Sequence, residues 1–152
     1  MSAFDRLFAQ GPARENFFLQ LCFFGELVYR DGLPAECDPL LFERAKTSLG
    51  RTQIRYLRGD AVTGLGSLEP PADFVSFSDV PSYFKGELER EFMQRIRPGI
   101  APGARIVIRN YVHAPEETNL GGYRETTREF GHEIAAEKLQ MYDVRVYEAV
   151  TP

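Results

Sequence analysis

Apolar positions recur along this chain with two different periods, and the change from one to the other marks out its elements. Residues 2–9 and 13–28 read as helices, separated by Gly11-Pro12. The second contains Phe17-Phe18-Leu19-Gln20-Leu21-Cys22-Phe23-Phe24, apolar on most sides, and such a helix needs cover on more than one face. The run is far short of the ~20 residues that span a bilayer. Asp31-Gly32 and Pro34 mark 29–37 as a loop. Asp38-Pro39 then starts a helix, because Asp38 caps free N–H groups and Pro39 suits the first helical position. Leu41, Ala45 and Leu49 share one face of it, and Gly50 supplies the stop.

Beyond residue 50 the pattern turns strand-like. Residues 53–57 predict a strand ending at Arg58-Gly59-Asp60, and 61–68 a helical turn. Residues 73–77 predict a second strand, ending at Ser78-Asp79. Pro81 opens a helix to about Ile96, with Phe84, Leu88, Phe92 and Ile96 on one stripe. A turn over 97–103 leads to a third strand, 104–109, whose apolar run suits burial on both faces. Residues 113–131 are polar and glycine-containing and read as a long loop, followed by a short helix over 133–140. The last strand, 143–150, mixes Val144, Val146 and Ala149 with charges, as an edge strand would. The alternation predicts an α/β fold with a mainly parallel sheet and helices on both faces. It is read as one domain over 1–152, helical over 1–50 and strand–helix–strand over 51–152.

Composition narrows the function classes. The chain has 152 residues, 43% hydrophobic and 26% charged, close to the globular average. A net charge of -4 argues against a nucleic-acid partner, because a phosphate-tracking surface is basic. Cys22 and Cys37 lie outside any metal-ligand spacing and read as reduced thiols of a cytoplasmic protein. Met1-Ser2-Ala3-Phe4-Asp5 lacks the basic start and apolar stretch of a signal peptide. His113 and His132 offer no metal-binding spacing, so no structural zinc is expected.

In an open parallel sheet, ligands bind beyond the carboxyl ends of the strands. The three predicted strand ends carry Asp60, Ser78-Asp79, and Asn110-Tyr111 with His113 beyond, so polar groups would converge on one rim. Asp60 would accept hydrogen bonds from a ligand amine or hydroxyl, or serve as a turn residue or helix cap. Ser78 and Asp79 precede a helix N-terminus, where anions are favoured, and simple capping is compatible with that. Tyr83 and Ser82 are placed to touch a substrate, although Tyr83 reads equally well as core. His113 as general base requires a reacting proton within about 3 Å. Gly121-Gly122-Tyr123-Arg124 suggests the hinge of a lid, with Arg124 or Arg128 meeting a ligand carboxylate, or else a solvated surface loop.

Three segments together resemble a class I S-adenosylmethionine-dependent transferase. Ile54-Arg55-Tyr56-Leu57-Arg58-Gly59-Asp60-Ala61 is similar to that family's third strand, whose terminal acid commonly meets the adenine amino group. Asp73-Phe74-Val75-Ser76-Phe77-Ser78-Asp79-Val80 resembles its fourth strand, and Arg97-Pro98-Gly99 through Ile108 its following turn and fifth strand. More narrowly, Asn16-Phe17-Phe18-Leu19, Phe24-Gly25, Leu33-Pro34 and the helix with Phe42 resemble the later half of betaine-lipid synthase-type proteins, similar to S-adenosylmethionine:diacylglycerol 3-amino-3-carboxypropyltransferases.

The resemblance implies S-adenosylmethionine as cofactor and transfer of its aminocarboxypropyl arm, or its methyl, to a lipid or small-molecule acceptor. It implies Asp60, Ala61, Ser78 and Asp79 on the cofactor side. Asp79, Tyr83 and His113 would serve catalysis, and Asn110, Tyr111 and Arg124 the acceptor. The helix around Phe17–Phe24 would make any peripheral membrane contact. One departure stands out: the family's first strand with its glycine-rich turn, and the acidic end of its second, have no counterpart. The expectation is therefore a Rossmann-like sheet lacking its usual first two strands. It would be a fragment, half of a split enzyme, or a sheet completed by a complementing chain or by homo-oligomerisation. The alternative is a non-catalytic interaction protein derived from that fold.

Overall fold

The computed structural model describes residues 3–9, 11–111, 113–115, 117–139 and 141–150. The chain divides into two compact units, Met1–Tyr56 with Ala136–Met141, and Leu57–Ala135 with Tyr142–Pro152. The first unit is helical. Helix α1 spans Ala3–Ala9, α2 Phe17–Phe24 and α3 Pro39–Leu49. Each of the last two starts as its sequence dictates. The Asn16 side chain accepts from the N–H groups of Phe18 and Leu19, and Asp38 from those of Leu40 and Leu41, with Pro39 in the first turn. Ser2, the expected start of α1, lies outside the described residues.

Helix α2 is shorter than the expected 13–28, and Gln20 explains why. This side chain is fully buried inside the apolar run. Its Nε2 donates to the carbonyls of Arg14 (2.8 Å) and Tyr29 (2.9 Å), and its Oε1 accepts from the N–H groups of Val28 (2.9 Å) and Tyr29 (2.7 Å). The chain after Phe24 is thus folded back onto the helix instead of extending it. Leu19 is buried beside Gln20 in sequence, but Leu21, Phe23 and Phe24 stay exposed, so much of the apolar surface for which cover was expected remains open. On α3 no residue is buried, and the face carrying Leu41 and Leu49 is open.

Residues 53–57 form no strand and lie exposed in irregular chain, which corrects the first expected strand. Ile54, Tyr56 and Leu57 point apolar side chains into solvent, and the residues around them make no sheet ladder.

The second unit is a four-stranded mixed sheet with helices packed on it. Its elements are α4 (Ala61–Gly66), β1 (Ala72–Ser78), α5 (Glu87–Ile96), β2 (Ile100–Asn110), β3 (Tyr123–Glu125), α6 (Gly131–Ala136) and β4 (Asp143–Ala149). The strand order is β1-β2-β4-β3. Strands β1 and β2 run parallel, from Phe74↔Arg105 to Ser78↔Arg109. Strand β4 is antiparallel to both β2 and β3. The expected mainly parallel sheet is therefore corrected to a mixed one. The last strand, expected at an edge, is interior, and the edges are β1 and β3.

Helix α5 begins at Glu87 and not at Pro81, because Gly86 at φ 61° breaks the run in a conformation that favours glycine. Before it, Pro81–Tyr83 is a single 3-10 turn. The stripe of α5 is buried as its spacing requires: Phe92, Met93 and Ile96 pack with Val75, Phe77, Ile106 and Ile108. Gly99 admits close contact with α4, since a Cβ there would stand 1.6 Å from the Leu65 carbonyl oxygen.

The opposite sheet face is covered less completely than helices on both faces would cover it. A 3-10 turn, Thr127–Phe130, packs on part of it, with the Arg105 guanidinium 4.6 Å from the Phe130 ring. On β1 that face leaves Phe74 56% exposed. The expected loop over 113–131 holds both that turn and β3. The final helix ends at Ala136, short of the expected Gln140, which itself lies outside the described residues.

Candidate functional site

The carboxyl ends of β1 and β2 lie side by side because the strands are parallel, and Asp79 ties them together. It follows Ser78 with φ 60°, a conformation rare outside glycine that accumulates at functional turns. Its N–H donates to the Arg109 carbonyl (2.7 Å). Its Oδ1 accepts from the Tyr111 N–H (2.8 Å) and from the buried Ser82 hydroxyl. One carboxylate oxygen thereby fixes two strand ends and the turn that follows. Ser78 Oγ accepts from Arg109 (3.4 Å), whose guanidinium lies 5.6 Å from the Tyr142 ring. Tyr111 stacks beside the same ring at 5.9 Å.

The other expected residues distribute unevenly around this rim. Tyr83 stands 70% exposed in the turn after Asp79, which decides against a core role. His113 Nε2 meets Glu89 Oε1 at 3.0 Å and so fastens the chain after β2 to α5. Asp60 does not end a strand. It caps α4 through the Thr63 N–H (2.8 Å) and hydroxyl (2.9 Å), and these bonds hold its carboxyl below the usual carboxylate range. With Ala61 it lines a shallow hollow of its own, shared with Leu57 and Leu65. Arg124, on β3, bridges Glu148 (2.7 Å) and Glu129 (3.1 Å), so of the expected lid hinge Gly121-Gly122 form a turn while Tyr123 and Arg124 are part of the sheet. The structure thus joins Ser78, Asp79, Asn110 and Tyr111 at one rim, with Tyr83 and His113 following in the chain, and sets Asp60, Ala61 and Arg124 elsewhere.

Beside the rim lies a cleft of about 400 Å³. Its floor is the sheet, one wall is α5 at Phe92 and Met93, and the other is a strap that contributes Ala114, Pro115, Thr118 and Leu120. The strap is laid along α5 by the Asn119 N–H on the Arg90 carbonyl (2.7 Å) and by Gln94 Nε2 on the carbonyls of Asn119 and Gly121 (2.9 Å each). Asn110 enters this cleft 5% exposed, and its Oδ1 has no hydrogen-bond partner among the described residues. Across the ladder, Asn110 pairs with Asp143 and Ile108 with Arg145. Arg145 joins Asp143 (2.9 Å) and Glu125 (3.5 Å). Burial, then the Glu125 charge, raises the Tyr147 hydroxyl above its ordinary value.

Glu125, Asp143, Arg145 and Tyr147 were not expected in a site. Their signal is parity. On β4 Asp143, Arg145 and Tyr147 alternate with Val144 and Val146, and such alternation in an interior strand means that one face meets something other than core. Among the described residues, no group of three histidine, cysteine or acidic side chains is arranged to hold a metal. None of the described helices is long and apolar enough to cross a membrane. No family model matches the chain, and no curated protein or solved structure matches it.

Proposed function

We propose that the second unit is the later part of an S-adenosylmethionine-dependent transferase sheet, whose rim at Ser78, Asp79 and Tyr111 holds one flank of the cofactor against a lipid or small-molecule acceptor. The observation that carries this reading is the Asp79 turn: a strained acidic residue knitting two parallel strand ends, at the place where open α/β sheets bind ligands. Two segments that resemble successive strands of that family, 73–80 and 104–108, are in fact neighbours in parallel register with α5 between them. A reversed strand added beyond a parallel pair is common in doubly wound sheets.

The fit to the cofactor is one-sided. The Asp79 carboxylate and Ser78 hydroxyl are acceptors suited to the methionine amine. No described residue offers a glycine-rich approach for the adenosyl flank, and Asp60 lies in a separate hollow. The reading therefore takes the second flank from another chain, a copy of this one or a complementing protein, paired along the outer edge of β1. The cofactor brings an activated aminocarboxypropyl or methyl group. This chain's residues orient the acceptor and take its proton, with Asp79, Tyr83 and His113 as the candidates.

One observation favours the non-catalytic alternative. Asp60, Asp79, His113 and Arg124 are each engaged in structural contacts. Calorimetric titration with S-adenosylmethionine separates the two readings, using the chain alone over a concentration series and mixed with the product of an adjacent gene. The transferase reading predicts binding heat that grows on self-association or mixing. It also predicts that Asp79→Asn weakens binding at least about tenfold, ~1.4 kcal/mol. Absence of heat in every mixture supports the interaction protein.

A further inference from the structure

Helix α3 is exposed along its whole length, yet its sequence is that of a packed helix. Leu41, Phe42, Ala45 and Leu49 fall within about 100° of its circumference, the width of a stripe that meets a core. Leu41 is 47% exposed, Phe42 56% and Leu49 56%, and no residue of the helix is buried. At 11 residues it is below the ~12–15 that make an isolated helix even marginal in water, and a helix this short draws its stability from packing of its apolar face. Ile54 and Tyr56 carry the open apolar surface past the helix end. From Leu40 to Tyr56 that surface is of the order of the ~800 Å² that one partner contributes to a standard interface.

Charge identifies the partner. From 32 to 43 the chain carries Glu36, Asp38 and Glu43 and no base; from 44 to 56 it carries Arg44, Lys46, Arg51 and Arg55 and no acid. The helix dipole favours acids in the first turn and bases in the last, and its effect fades beyond them. Glu36 precedes the Asp38 cap, and Arg51 and Arg55 follow the Gly50 cap, so the segregation outruns the helix. An apolar middle with an acidic and a basic end is complementary to itself turned end for end. An anionic lipid surface or a nucleic acid would be drawn to one end and repelled by the other. A second copy laid parallel would set like charges together.

We propose that α3 pairs antiparallel with α3 of a second copy of this chain. Ala45, small and central in the stripe, lies at the crossing and lets the helices approach closely. Leu41 of each copy then packs on Leu49 of the other. Glu36 and Asp38 of each meet Arg51 and Arg55 of the other, as a two-fold contact requires. The pairing uses no residue of β1 or of the rim, so it stands whether or not the rim holds a cofactor.

Sedimentation equilibrium of the full chain, without cofactor, tests it. Wild type is expected to show a monomer–dimer equilibrium in the micromolar range that weakens as salt is raised. Ala45→Arg, which puts bulk and charge at the crossing, is expected to raise the dissociation constant at least about tenfold. Two further variants report orientation. Arg51→Glu with Arg55→Glu makes both ends acidic. Glu36→Lys with Asp38→Asn removes the acidic end, and asparagine keeps the helix cap. Each alone is expected to dimerise at least about tenfold more weakly than wild type, and their equimolar mixture to recover wild-type affinity within about threefold. If Ala45→Arg fails to fold, the charge variants decide. A chain that stays monomeric at hundreds of micromolar overturns the proposal. So does a dimer that these variants leave unchanged, as pairing at the β1 edge alone would give, or a pair of charge variants that does not recover on mixing.

Discussion

Tyr123 sits where burial and a hydrogen bond act on one phenol. Its hydroxyl donates to the Met93 carbonyl at 2.9 Å, and burial pushes its pKa from 10.0 to about 12, against the opposing pull of Arg97. In the unfolded chain the phenol ionises near its ordinary value, so alkali favours unfolding. The stability that Tyr123 contributes is complete below pH 10 and is lost as the pH rises toward about 12. Tyr147, also raised, adds to the same decline. Urea unfolding of wild type and Tyr123→Phe, from neutral pH upward, checks this. The variant is expected to lose about 0.5–1.5 kcal/mol at neutral pH and to show a shallower alkaline decline. Asn16, 4% exposed, both caps α2 and donates to the Lys138 carbonyl (2.7 Å). Asn16→Ala is expected to cost about 1–2 kcal/mol in thermal or denaturant unfolding.

At the scale of elements, what was legible in the sequence was local chemistry. Asp38-Pro39 starts α3 and Asp60 caps α4 because both devices act within three residues. The stripe ending at Phe92 and Ile96 is buried because its spacing leaves no other face to cover. What was illegible depended on distant partners. Residues 53–57 look like a strand but have no ladder to join. Gln20 looks like an interruption in an apolar run, yet it organises the loop that follows, through bonds reaching to Tyr29. The charges of β4 suggested an edge, when they line a cleft on an interior strand. Gly99 carries the sharpest prediction at this scale. Its alanine variant must push α4 away from the start of β2, and a loss of about 1–3 kcal/mol is expected from overpacking. An unchanged melting temperature would show that α4 yields freely there.

For the molecule as a whole, two of the three anticipated strand ends meet at the rim. Ser78, Asp79, Asn110 and Tyr111 meet because β1 and β2 are parallel neighbours, and that much follows from strand–helix–strand alternation. Asp60 is absent from the rim because its strand does not form, and Arg124 because β3 pins it to Glu148. The outer edge of β1 is unpaired among the described residues; if a second chain pairs there, as proposed, association is expected to strengthen cofactor binding. The most direct test is a backbone amide titration with S-adenosylmethionine at high chain concentration. The signals of Ser78, Asp79 and Tyr111 are expected to move together and saturate. Saturable shifts confined to other residues, or no shifts at all, would contradict it.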